Sequence, residues 1–149
     1  MPKRSERLRP VQQIAANREQ EAAREMAKAR SYLESTQARL SELINFRGEY
    51  ARNFLARGEQ GMTVTRMREY YGFIQRIDQA IAYQQNLAEQ AKSVYAQRQK
   101  LWGQRRSRML AIDKLAERYR QQEQIESDRR EQKETDERAQ RSTWKKHVE

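Results

Sequence analysis

A chain of 149 residues with 36% hydrophobic and 35% charged side chains is too polar to wrap a deep globular core, and its length fits one domain. No run approaches the roughly 20 apolar residues of a membrane helix, and the lack of cysteine excludes disulfides and thiolate metal sites. A formal net charge of +10 favours an acidic partner, whether protein, nucleic acid or anionic leaflet, without choosing among them.

Met1-Pro2-Lys3-Arg4 is basic, as a signal peptide begins, but no apolar run follows, so export by a cleaved signal is not expected. Beyond it, residues spaced alternately 4 and 3 apart form a ladder: Leu8, Gln12, Ala15, Glu19, Ala22, Met26, Ala29, Leu33, Thr36, Leu40, Leu43, Arg47, Tyr50, Phe54. Ten of these 14 rungs are apolar. A mean repeat of 3.5 keeps one stripe facing one partner helix, the physical condition for a coiled coil. Pro10 lacks an N–H and clashes with the turn before it, so it suits a first turn. The spacing therefore predicts helix 1 over about residues 8–57, ending at Gly58.

Residues 58–62 are expected to be a loop, with Thr63 or Thr65 capping a second helix. There a second ladder reads Met67, Tyr70, Ile74, Ile77, Ile81, Gln84, Ala88, Ala91, Tyr95, Arg98, Trp102, Arg105, Met109, Ile112, Ala116, Tyr119, with 13 of 16 rungs apolar. A short loop between two such helices lets them pack antiparallel on each other. The fold class that follows is all-α: a single long two-helix antiparallel coiled coil, an α-hairpin. Its seam would be carried by Leu33, Leu40, Leu43, Tyr50, Phe54, Ile74, Ile77, Ile81, Trp102 and Ile112.

If Phe54 is level with Met67, paired residue numbers sum to about 121 and partners run out near Tyr119. Helix 2, expected over about 63–140, then overhangs helix 1 from about residue 120, with a loose tail at 142–149. At 1.5 Å per residue the two helices are roughly 70 Å and 115 Å long. The rungs at 123, 126, 130, 133 and 137 are Glu, Glu, Arg, Lys and Glu, as befits a stretch without a seam. Such a polar single helix is marginal in water unless a partner supports it, which makes it either a docking element or a solvated tail. Basic and acidic residues number 12 and 7 over 1–57, 12 and 6 over 58–121, and 7 and 8 over 122–149, so the basic excess belongs to the hairpin.

Three further features bear on function. Gly48 and Gly72 fall almost level across the seam, and room for Phe46, Tyr50, Phe54, Tyr70, Tyr71 and Phe73 is the simple explanation. Phe73, Ala80, Leu87, Val94 and Leu101 recur every seven residues, one place before the ladder, and with Tyr83 widen the apolar arc of helix 2. That stripe either broadens the seam or offers a face to a third segment. A basic pole gathers Arg98, Lys100, Arg105, Arg106, Arg108, Lys114, Arg118 and Arg120 with Lys3, Arg4, Arg7 and Arg9. It lacks the interleaved aromatics of a nucleic-acid groove, so nucleic acid is not the favoured partner. No catalytic residues, metal ligands, cofactor or small-molecule substrate are indicated. The sole histidine, His147, is near the end, and no phosphate loop or nucleophile elbow occurs.

Taken together, Leu8-x-x-Val11-x-x-Ile14-Ala15 with Glu21-Ala22, the bend from Tyr50 to Tyr71-Gly72-Phe73-Ile74-Gln75 and Ala80-Ile81, and Gln132-Lys133-x-x-Asp136-Glu137-x-Ala139-x-Arg141 resemble the FliJ family of flagellar type III export proteins. The resemblance implies a cytoplasmic, non-enzymatic stalk that inserts into a hexameric export ATPase, promotes its assembly and activity, and couples it to the large membrane export gate. It also implies handling of export chaperones, and membrane association that is only peripheral, through the export machine at the flagellar base. By local match, the contact with the cytoplasmic linker of the gate falls on Phe73, Ile77, Ala80 and Gln84, with Gln84 standing where the family has histidine. Contacts to the ATPase ring would come from Arg129, Arg130, Lys133, Asp136, Glu137 and Arg141. Three rivals remain, the first two being the equivalent stalk of a virulence type III secretion system and a basic coiled coil associated with nucleic acid or ribosomes. A generic scaffold that dimerises in trans is a third.

Overall fold

The computed structural model describes residues 1–148. Two helices account for nearly all of them, α1 (Arg4–Gly58) and α2 (Val64–Val148), packed against each other as an antiparallel α-hairpin. Packing gathers the chain into two compact units, Glu21–Gly103 and Met1–Gln20 with Gln104–Glu149.

In the unit 21–103, α1 ends at Gly58, and Gly61 takes the bend at φ +91°, a conformation open to glycine at no steric cost. Gln60 N–H and Gly61 N–H donate to the carbonyls of Arg57 and Gly58, both at 3.1 Å. Thr63 is the cap of α2: its hydroxyl accepts the Arg66 N–H at 3.2 Å, satisfying one of the donors that a helix start leaves open.

The heptad ladders are what the fold buries. Every rung of the first ladder is shielded at least in part, and in the second only Met67 and Arg98 are exposed. Ala22, Ala88 and Ala91 are buried in the larger unit, Ala15 and Ala116 in the smaller. Short side chains at these positions let the backbones approach. Polar rungs find partners across the seam: Gln12 Nε2 donates to Asp113 at 3.1 Å, and Arg47 pairs with Asp78. The bend is closed by rings, with Phe54 stacked on Tyr70 at 3.5 Å between centroids and Tyr50 on Tyr70 at 5.5 Å.

Both helices are longer than their patterns predict. α1 starts at Arg4 rather than near residue 8 and carries Pro10 inside it. The extra turn is tied down by Glu123 of α2, whose carboxylate accepts both the Ser5 N–H at 3.1 Å and the Ser5 hydroxyl at 2.6 Å. α2 runs through Ser142-Thr143 to Val148, so residues 142–148 are helical rather than loose, and Glu149 lies outside the described residues. Within this stretch the Thr143 hydroxyl donates back to the Ala139 carbonyl at 2.9 Å, a bond open to a threonine inside a helix. Lys145, Lys146 and His147 in the last turn suit the negative end of the helix dipole.

The two seam-level glycines are not there to admit rings. A methyl group at Gly48 would meet only the Arg52 side chain, at 3.3 Å, and one at Gly72 would meet nothing within 4 Å. Gly72 thus costs helix propensity with no packing return. Gly72→Ala should stabilise the hairpin by about 1 kcal/mol in urea denaturation. A loss of stability would show that the glycine has a structural use.

Candidate functional site

The stripe that precedes the seam on α2 splits into shielded and open positions. Phe73, Leu87 and Leu101 are half-buried, whereas Ala80 and Val94 are exposed. Tyr83, three residues after Ala80 and so on the same side of the helix, is 66% exposed. From α1, Phe46 meets Phe73 edge-on at 6.2 Å and Tyr50 packs on Phe73 at 4.7 Å. Tyr32, two heptads before Phe46 on the same stripe of α1, is also exposed. The stripe therefore both covers the flank of α1 and leaves an apolar face in water around Ala80 and Tyr83.

The four residues matched to a gate contact do not share one surface. Phe73 and Ala80 reach that face, but Ile77 is 6% and Gln84 8% exposed, inside the seam. Gln84 Nε2 donates to the Thr36 carbonyl at 3.2 Å, and the Thr36 hydroxyl donates to the Leu33 carbonyl at 2.9 Å. A polar rung at this depth holds the two helices in register, because sliding either would leave a buried amide without a partner. Ile77 and Gln84 thus shape the face from beneath.

At the other end, α2 outruns its partner. Glu123 is the last residue with any shielding, and everything from Gln124 to Val148 is exposed. Arg129, Arg130, Lys133, Asp136, Glu137 and Arg141 all lie on this unaccompanied stretch, where Gln124 Nε2–Asp128 at 3.0 Å and Gln132 Nε2–Asp136 at 3.3 Å each brace one turn. Its charge is segregated, a pattern hidden by the near-neutral total. Residues 123–137 hold 7 acidic and 3 basic side chains, and 138–148 hold 4 basic and none acidic. The acidic band lies before the basic tip, which also presents Trp144, 67% exposed. At the pole where α1 begins, Arg4 sits over the Tyr119 ring at 5.7 Å and Arg120 pairs with Glu117 at 3.1 Å. Part of the basic cluster is thereby committed to intramolecular contacts.

A family model described as Flagellar FliJ protein matches residues 4–147. The chain belongs to the FliJ family. No curated protein and no solved structure matches it. Membership makes the protein a component related to flagellar export, from a family without a catalytic role. No helix among the described residues is long and apolar enough to cross a membrane.

In this FliJ-family chain, at the residue next to Ile77, the Arg47 guanidinium clamps Asp78 with two hydrogen bonds, the longer at 3.2 Å. The clamp holds the Asp78 carboxyl below its usual range, chiefly through the hydrogen bond, while desolvation opposes and the Arg47 charge assists. It was not legible in the ladders, since Asp78 stands beside the seam rather than on it. A carboxyl whose pKa is lower folded than unfolded stabilises the fold above the unfolded value, and that contribution fades as pH falls through the folded one. Asp78→Asn should therefore lower the melting temperature at neutral pH, and the gap to wild type should close below the ordinary aspartate range. A gap that stays constant into strong acid would contradict the clamp.

Proposed function

We propose that this protein is the stalk-like adaptor of the flagellar type III export apparatus, non-enzymatic and cofactor-free. Its unaccompanied α2 enters a hexameric export ATPase and promotes that ring's assembly and activity. The observation that carries this reading is the stretch Gln124–Val148, fully exposed yet helical, with an acidic band and a basic tip in series. A single helix of this polarity gains little by itself in water, so a partner that surrounds it would stabilise it. Arg129, Arg130, Lys133, Asp136, Glu137 and Arg141 are the residues that would meet the ring wall. As an asymmetric ligand, the helix would favour one conformer of a ring subunit over another.

The open face around Phe73, Ala80 and Tyr83 is proposed to take the cytoplasmic linker of the large export gate, with Ile77 and Gln84 supporting it from the seam. Export chaperones are further partners on this reading, and the protein works in the cytoplasm, held at the inner membrane only through the export machine. Two outcomes test it. Removal of residues 124–149 should abolish co-purification with the export ATPase while leaving a helical hairpin that melts cooperatively. Normal ATPase stimulation by the truncated chain would rule the overhang out. Ala80→Glu should weaken binding to the gate linker by about ten-fold with an unchanged melting temperature, whereas Ile77→Glu should unfold the seam. Equal linker binding by Ala80→Glu and wild type would remove that face from the account.

A further inference from the structure

α1 contains a second start site that the fold overrides. Pro10 is the seventh residue of the helix, where it has no N–H to give and its ring crowds the Glu6 carbonyl. As the first helical residue, the same proline would be favourable, because its missing N–H is one the helix start leaves unused. Residues 4–9 are therefore helical against a local preference to begin at Pro10. The contacts that overcome this preference come from α2. Glu123 takes the Ser5 N–H and hydroxyl, as a capping side chain does, but from the opposite helix. Arg4 lies over Tyr119, and Lys3, Arg4, Tyr119, Gln122, Glu123 and Glu126 line one open groove at this junction. Leu8 is the only apolar side chain of the segment with partial shielding, so apolar burial adds little to the hold.

We propose that Ser5–Glu123 is a latch between two defined states of α1, one beginning at Arg4 and one at Pro10. Release frees a segment with Lys3, Arg4, Arg7 and Arg9 against Glu6, a net charge of +3, and uncovers Tyr119. It also moves the point from which α2 runs alone back towards Ala116, lengthening the single-helix arm by about two turns. Anything that engages Glu123 or the groove beside it therefore sets how much of α2 is accompanied. This inference stands on the contacts at residues 3–10 and 119–126 and does not depend on the proposed export role.

Amide hydrogen exchange on the full chain tests it. If α1 starts at Pro10, the amides of Arg7, Leu8, Arg9, Val11 and Gln12 lose their acceptors, whereas Gln13 keeps the Arg9 carbonyl. Glu123→Ala should therefore speed exchange at those five amides by about ten-fold and leave Gln13 onward within about two-fold of wild type. Adding Pro10→Ala to Glu123→Ala should restore protection by at least about three-fold, because the alternative start is gone. Unchanged exchange in Glu123→Ala, loosening that runs past Ile14, or no rescue by Pro10→Ala would each overturn the latch.

Discussion

An apolar stripe that repeats every 3.5 residues on a long helix stays in water unless a second stripe of the same repeat lies along it. This one constraint explains most of the molecule. Neither helix has an apolar arc broad enough for a globular core, and both ladders are shielded where they meet. The loop is short and Gly61 makes the turn, so each helix finds its complement in the same chain. Alanines at Ala15, Ala22, Ala88, Ala91 and Ala116 let the backbones come close, and dispersion contacts accumulate over many modest rungs.

A residue that the seam buries is not free to serve a partner. Ile77 and Gln84 belong to the seam, and exposing them would break the burial and the amide bond that fix register. Among what is left exposed are positions one place off the seam, such as Ala80 and Tyr83, and the stretch of α2 beyond Glu123 that has no α1 beside it. On the proposed export reading, partners would be met at these positions, where pairing is incomplete.

The two-helix architecture was legible because heptad spacing is a property of the chain itself. Gly61 makes its turn within the loop expected at 58–62. The helix ends were not legible, because they depend on single tertiary contacts. Pro10 argues for a later start, and only the Glu123 carboxylate on Ser5, 118 residues away in the chain, explains the earlier one. The end of α2, expected near residue 140, lies at Val148 instead. The aromatic neighbours of Gly72 suggest ring packing, yet the glycine faces open space. Periodicity also could not sort the matched gate residues, since Phe73, Ile77, Ala80 and Gln84 fall on one side of a helix while straddling the boundary between seam and solvent.

The claim under all of this is that one chain supplies both halves of the seam. Cysteines introduced at Ser35 and Gln85, both exposed in the unit 21–103 of a chain with no native cysteine, can carry paired spin labels. Labelled chain diluted into excess unlabelled chain should give a distance of about 20–25 Å, since packed helix axes lie about 8–10 Å apart and the label arms add to that. A distance near 75 Å, the span of about 50 residues of uninterrupted helix, or a short distance that vanishes on dilution, would mean that the seam is not made within one chain.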